Sequence, residues 1–183
     1  MSSAIEIQNS VLLIIDVQGK LANMMCDADY QSHIRRLIKV AGILEFPILL
    51  TEQAPDKIGR TVVEITDMLK GFVPISKQTF SCCGEPAFVD ALKHLGRRHV
   101  VVCGIESHVC VYQTVRDLLK TGHQVSVVAE AVSARSKYNA HAGIARCKDM
   151  GAVLTTLEML VTELIVSTRH PKFREIMSLL KNA

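Results

Sequence analysis

Three reactive side chains stand where apolar runs of this sequence end. Asp16 follows Val11-Leu12-Leu13-Ile14-Ile15, Lys77 follows Val73-Pro74-Ile75-Ser76, and Cys110 lies past Val100-Val101-Val102-Cys103 and a turn at Gly104. Cys110 opens the helical repeat Val111, Tyr112, Val115, Leu118 and Leu119, which places it in the first turn of a helix. Unsatisfied N–H groups and partial positive charge at such a terminus ease loss of the thiol proton, so this is where a nucleophile would sit. Taken singly, each residue has an ordinary use: a cysteine that fills core, an aspartate in a cap or turn, a lysine in solvent. An acid at the end of a fully apolar run must, however, be paired, solvated or functional. The joint placement of all three favours function.

Their positions make sense on an open parallel sheet, where ligands bind beyond the carboxyl ends of the strands at the point where strand order reverses. Apolar runs and helical patterns alternate along the whole chain, the mark of βαβ units. Strands are predicted at Val11–Ile15, Ile48–Thr51, Val73–Ser76, His99–Cys103, Val125–Ala129 and Ala152–Thr155. Pro74 makes the third an edge strand, because proline cannot donate to a ladder. Helical patterns cover Ile34 to Leu44, Thr61 to Leu69, Pro86 to Leu95, the stretch from Cys110 to Gly122, Asn139 to Met150, Leu157 to Val166 and Pro171 to Leu180. The last is apolar enough that it must dock on its own domain or on a neighbour.

At 183 residues with 49% hydrophobic content, one domain over residues 1–183 is expected. No apolar run reaches membrane-spanning length, and Met1 to Glu6 lacks the basic region and apolar stretch of a secretory signal, so a soluble cytoplasmic protein is expected with no membrane partner. The formal charge of +3 with interspersed acids and bases, no Trp and three Tyr gives nucleic acid no support as a partner. The six cysteines are read as free thiols; Cys26, Cys82, Cys83, Cys103 and Cys147 are taken as structural, with the adjacent Cys82-Cys83 pair open to oxidation. No Cys or His spacing forms a zinc site, and His33, His94, His99, His123, His141 and His170 are scattered. Gly19 stands alone after the first strand and no Gly-Lys-Ser/Thr loop exists, which disfavours nucleotide-dependent chemistry; no cofactor is expected.

The chain resembles the isochorismatase-like cysteine hydrolases. The resemblance is carried by Asp16-Val17-Gln18, by Lys77 before Thr79-Phe80-Ser81, and by Gly104-Ile105-Glu106-Ser107-His108-Val109-Cys110-Val111 with Thr114, and it extends from Val11 to Leu180. Thr51-Glu52-Gln53-Ala54-Pro55 and Pro171-Lys172-Phe173 point to the isochorismatase-domain-containing subgroup. The resemblance implies a single three-layer α/β/α domain with a six-stranded parallel sheet of order 3-2-1-4-5-6 and a catalytic triad of Asp16, Lys77 and Cys110. In that triad the Cys110 thiolate attacks a carbonyl carbon, Asp16 carries the proton, and Lys77 holds the carboxylate and favours the thiolate. The resemblance further implies an oxyanion hole from the N–H groups of Glu106 and Cys110, exposed by a cis peptide between Ile105 and Glu106. Gln18, Phe80, Glu106, Ser107 and His108 are expected around the substrate by position. His108 is two residues from Cys110 and therefore on nearly the opposite side of a helix, which argues against a Cys-His dyad.

Two departures narrow the chemistry. The nicotinamidase branch of the superfamily holds a divalent metal through an Asp-x-His pair after the second strand and a further histidine; Thr51-Glu52-Gln53 stands there in this chain, so no metal is expected. Enzymes that cleave the vinyl ether of isochorismate do not use the cysteine, so Cys110 argues against that substrate. The expectation is a metal-independent hydrolase of a small non-peptide C–N substrate, amide or carbamoyl, in a homo-oligomer. A scaffold that keeps the fold with little catalysis and a redox-sensing thiol protein are the rival readings.

Overall fold

Strand β1, Ser10–Ile15, is buried at every position. Its side chains leave alternately: Leu12 and Ile14 join one apolar cluster, while Val11, Leu13 and Ile15 join another. Both faces of the sheet are covered, which is why the run is continuous instead of alternating. Each such side chain contributes about 1.5–3 kcal/mol on burial. The computed structural model, which describes residues 5–181, sets β1 between β2 (Ile48–Gln53) and β4 (His99–Ile105). Outside these lie β3 (Ile75–Lys77) on one edge, then β5 (Gln124–Ser133) and β6 (Val153–Thr155) on the other. Every pairing is parallel, and the order is β3-β2-β1-β4-β5-β6, as the resemblance implied.

The helices are α1 (Gly19–Ala22), α2 (Tyr30–Ile43), α3 (Pro55–Ile58), α4 (Val63–Thr66), α5 (Pro86–Leu95), α6 (Tyr112–Lys120), α7 (Lys137–Asp149), α8 (Leu157–Ile165) and α9 (Phe173–Lys181). One face of the sheet is covered by α2, α8 and α9 through Ile34, Leu37, Leu160, Leu164 and Ile176. The other is covered by α5, α6 and α7 through Phe88, Leu92, Val115, Leu118 and Cys147. The terminal helix α9 therefore docks on its own chain: Ile176 is fully buried and Phe173, Met177, Leu179 and Leu180 pack against the same cluster. Ser136 and Thr156 cap α7 and α8 by accepting from the N–H groups of Asn139 and Met159, an interaction that contributes about 1 kcal/mol per cap. Among the described residues no helix is long and apolar enough to cross a membrane.

Four differences from the sequence expectation bear on the site. Strand β3 begins at Ile75, not Val73, because Pro74 interrupts donation and Val73 is 87% exposed; Lys77 is then the last residue of the strand and does not follow it. Strand β2 continues through Glu52 and Gln53, which pair with Ser76 and Lys77. Strand β5 runs on to Ser133 by way of an irregularity: Val102 pairs with Val127, yet Gly104 pairs with Val132. Cys110 lies in a π-helical turn, Ser107–Val111, ahead of α6 and not in its first turn.

Candidate active site

The neighbours of β1 lead away in opposite directions, β2 to one edge and β4 to the other, so the crevice of an open parallel sheet falls past the ends of β1 and β4. Asp16 directly follows β1 with φ of 53°, a left-handed conformation that aspartate tolerates better than most residues. Thr51, level with Ile15 on the neighbouring strand, donates its hydroxyl to Asp16 Oδ1 at 2.8 Å. Lys77 comes from β3, two strands from β1 and so about 10 Å away at ordinary strand spacing. The flexible four-carbon stem of lysine is suited to that span, and Nζ lies 2.7 Å from Asp16 Oδ2. The ammonium also donates to Gln53 Oε1 at 2.7 Å and to the carbonyls of Phe80 and Thr79 at 3.1 and 3.2 Å. Burial alone would lower its pKa; the charge of the Asp16 carboxylate and its hydrogen bond act against that, and the net shift is upward, so Lys77 stays charged.

Cys110 reaches the same place from β4. Gly104 permits the approach: its φ is +117°, and a Cβ there would stand 2.1 Å from the carbonyl oxygen of Ile15. The Ile105–Glu106 peptide is cis. The following turn is widened by one residue, with the Val111 N–H reaching back to the Glu106 carbonyl at 3.2 Å and the Tyr112 N–H to that of Ser107. Such π turns occur often at functional sites. Cys110 is 7% exposed and lines a cavity of about 400 Å³ together with Asp16, Gln53 and Gln18. Burial pushes its thiol pKa up, and the Asp16 charge adds to the rise more than Lys77 offsets it. The thiolate expected from a helix terminus is thus corrected: in the resting site Cys110 holds its proton, because a desolvated anion beside a carboxylate is unfavourable. Asp16 is the carboxylate beside that thiol.

Of the five residues expected around the substrate, Gln18, Phe80 and Glu106 line this cavity. Ser107 and His108 do not. Ser107 Oγ donates to the Ala140 carbonyl at 3.4 Å, and the backbone of Ser107 and His108 packs so closely on α7 that a Cβ at Gly143 would stand 2.5–2.7 Å from it. Both residues lie in the π turn, whose backbone packs on α7. Gln18 acts as a brace: its amide donates to the carbonyls of Gln53 and Gly59 and accepts from the Gln53 N–H at 2.6 Å. Apolar wall comes from Leu21, Ile58, Phe80, Ile105 and Val109.

Three contributors escaped the sequence reading as site residues. Thr51 and Gln53 fix Asp16 and Lys77, as given above. Arg135 follows the unexpected extension of β5, lines the cavity, and pairs with Glu106, its Nε 3.2 Å from both carboxylate oxygens. Thr51 and Gln53 share one face of β2, but the sequence reading ends that strand at Thr51, so alternation does not reach Gln53, and nothing marked Arg135. A metal does not fit here. Thr51 and Gln53 are hydrogen-bonded to the Asp16–Lys77 pair, and Glu52 uses its carboxylate on Thr61 N–H and Oγ and on Arg60. Among the described residues no three His, Cys, Asp or Glu side chains are grouped to hold an ion.

A family model described as "Isochorismatase domain" matches residues 10–159. The human isochorismatase domain-containing protein 2 is 39% identical over 175 residues, covering 94% of this chain and 83% of the relative. A Caenorhabditis elegans protein, whose structure is named that of the MAR1 ribonuclease, is 39% identical and superposes with a TM-score of 0.91 over 98% of this chain and 93% of its own. The Escherichia coli YcaC protein, described as an octameric hydrolase of unknown specificity, shares the fold at 21% identity with a TM-score of 0.87, over 100% of this chain and 98% of that one.

Proposed function

The chain belongs to the isochorismatase family, a hydrolase fold, and from that premise we propose that it is a metal-independent cysteine hydrolase acting on the C–N bond of a small non-peptide amide or carbamoyl compound. The observation that carries the reading is the buried Asp16–Lys77 ion pair of 2.7 Å at the cavity that Cys110 lines. Asp16 takes the thiol proton as Cys110 sulfur bonds to the carbonyl carbon. The backbone N–H groups of Glu106 and Cys110 hold the resulting oxyanion, and loss of one such donor typically costs about a hundredfold or more in rate. The C–N bond then breaks, the amine leaves with the proton from Asp16, and a thioester on Cys110 remains. Water attacks the thioester, Asp16 accepts its proton and returns it to sulfur, and the acid departs. Lys77 stays cationic throughout and keeps Asp16 aimed at the thiol. Metal independence belongs to the proposal and is supported by the commitment of Thr51, Glu52 and Gln53 to other partners.

The test is release of ammonia from a panel of small primary amides and carbamoyl compounds. Turnover should vanish in Cys110→Ala and fall about a hundredfold or more in Asp16→Asn; undiminished turnover in both variants would refute the reading. The name of the Caenorhabditis elegans relative, at 39% identity, supports a second reading as a ribonuclease. Incubation with end-labelled single-stranded RNA decides between them: cleavage that persists through repurification and disappears in Cys110→Ala would transfer the proposal to a phosphodiester substrate. We further propose a homo-oligomer, supported by the octameric description of the YcaC relative and by exposed Phe72, Val73 and Phe80. Light scattering across a dilution series should give a dimer or larger, and a monomer mass would contradict it.

A further inference from the structure

We propose that Cys82 is a positioning residue for Asp16: its thiol donates into the hydroxyl of Thr51, and so fixes and strengthens the hydrogen bond that Thr51 gives the carboxylate. The role rests on the reading of Asp16 as the base that serves Cys110.

Three buried groups form a chain that ends on the carboxylate. Cys82 Sγ donates toward Thr51 Oγ1 at 3.8 Å, and Thr51 Oγ1 donates to Asp16 Oδ1 at 2.8 Å. A hydroxyl has one proton and two lone pairs. Thr51 commits its proton to Asp16, so toward the thiol it can only accept. Thr51 and Cys82 are fully buried and Asp16 is 3% exposed, which keeps the chain away from solvent. The contact to sulfur is long, and its importance lies in its direction. A sulfur that accepted from Thr51 would compete with Asp16 for the hydroxyl proton. Burial, with the Asp16 charge adding to it, pushes the Cys82 thiol up to about 12, so at neutral pH it keeps its proton and acts as a donor. In a low dielectric each bond of such a chain polarises the next and strengthens it by about 10–30%. Hydrogen bonds to the charged form of an acid favour that form. The chain therefore holds Asp16 ionised through Oδ1 while Lys77 holds Oδ2 at 2.7 Å.

The sulfur is fixed from the other side as well. The Cys82 N–H donates to Thr114 Oγ1 at 3.0 Å, and Thr114 lies fully buried on α6, four residues after Cys110. Cys82 opens a short turn, Cys82–Gly84, that is itself held: Ser81 Oγ accepts from the Cys83 N–H at 3.3 Å, and a Cβ on Gly84 would stand 2.8–3.0 Å from the Thr79 side chain. Cys82 thus ties β2, which carries Thr51, to the helix that follows the nucleophile. With no exposed surface and no place among the residues lining the cavity, the sulfur reaches the reaction only through Thr51.

The pH dependence of Cys110 alkylation tests this without a substrate. Full-length protein is treated with iodoacetamide between about pH 4 and 9, and Cys110 is followed by peptide mapping. Wild type is compared with Asp16→Asn, Thr51→Val, Cys82→Ala, Cys82→Ser and the double variant of Thr51→Val with Cys82→Ala. The rate should rise with pH as Asp16 loses its proton. Lys77, Cys110 and Cys82 neighbour Asp16, and Glu106 and Arg135 line the same cavity; loss of the acid limb in Asp16→Asn assigns that limb to Asp16. Removing a donor lets the carboxylate keep its proton to higher pH. The proton concentration at the midpoint should fall about tenfold in Thr51→Val and about twofold in Cys82→Ala. Cys82→Ala should add nothing once Thr51 is valine, and Cys82→Ser, which keeps a donor, should stay at the wild-type midpoint. A cavity left by the missing sulfur would lower the urea midpoint in both backgrounds without moving the acid limb. Equal shifts in Cys82→Ala and Cys82→Ser, or a Cys82→Ala shift of the same size with and without the Thr51 hydroxyl, overturns the positioning role. An acid limb that survives Asp16→Asn removes the base reading and the role of Cys82 with it; a limb lost in Asp16→Asn but unmoved in Cys82→Ala removes the role of Cys82 alone.

Discussion

Two ion pairs border one cavity, and they are built to opposite specifications. Asp16 and Lys77 meet at 2.7 Å with side-chain exposures of 4% and 0%, and the ammonium is surrounded by further acceptors. Glu106 and Arg135 meet at 3.2 Å, with the acid buried and the guanidinium more than half in solvent. Removing one partner of a buried pair leaves an uncompensated charge and costs about 3–5 kcal/mol, whereas an exposed pair contributes about 0–1 kcal/mol. The two pairs divide the labour: the groups that would move protons are locked by the fold itself, whereas Arg135 stands half in solvent on its buried partner.

Breaking the first pair should have the largest effect. Lys77→Met is expected to lose about 3–5 kcal/mol in urea unfolding and to abolish turnover, while pairing it with Asp16→Asn should recover part of the stability but none of the activity. Additive losses in the double variant would contradict the coupling. Next comes Gln53→Ala, which removes the side-chain acceptor of the Lys77 ammonium; a hydrogen bond to a charged group contributes about 1.5–3 kcal/mol. Its activity should fall less than that of Asp16→Asn, and an equal fall would mean Gln53 takes part in the chemistry. Arg135→Met stands at the other end, with about 1 kcal/mol or less of stability at stake. Should it destabilise as much as Lys77→Met, the distinction between the two pairs fails.

Alkaline pH probes the buried side of the comparison more gently. Burial lifts the Cys82 and Cys147 thiols to about 12, against about 8.5 in an unfolded chain. Below pH 8.5 both states hold these protons and the stabilising effect is fully present. Between about 8.5 and 12 the unfolded chain releases them and the folded chain does not, so stability falls as pH rises, by about 1.4 kcal/mol per pH unit for each thiol. Urea midpoints measured from pH 8 to 10 should decline less steeply in Cys147→Ala than in the wild type; parallel slopes would show that this thiol does not resist ionisation.

The body of the sheet was legible because its strands are buried on both faces. Val11 to Ile15 and Val100 to Cys103 read as strands from apolar continuity alone, and helices on either side follow from the repeats of Ile34 and Leu37 or Val115 and Leu118. The ends of strands were harder. Glu52 and Gln53 carry no apolar signal, so β2 reads two residues short, and Lys77 seems to follow a strand to which it belongs. Arg135 was missed because β5 places four residues, Val128 to Ala131, opposite Cys103 alone, a detour no periodicity reports. Ser107 and His108 were placed around the cavity by their position before Cys110, and the π turn there packs its backbone on α7. Polar residues at strand ends and irregular turns are fixed by neighbours distant in sequence, and there the chain's own pattern is silent.

The central claim is that Cys110, served by Asp16, is the nucleophile. Its most direct test is peptide-mapped acylation by p-nitrophenyl butyrate, quenched at short and long times in wild type and Asp16→Asn. The account predicts an acyl group on Cys110 ahead of the other five cysteines, formed in a burst and then turned over, with both formation and turnover slowed about a hundredfold or more in Asp16→Asn. Acylation confined to the partly exposed Cys26 and Cys83, with Cys110 unmodified, would contradict it.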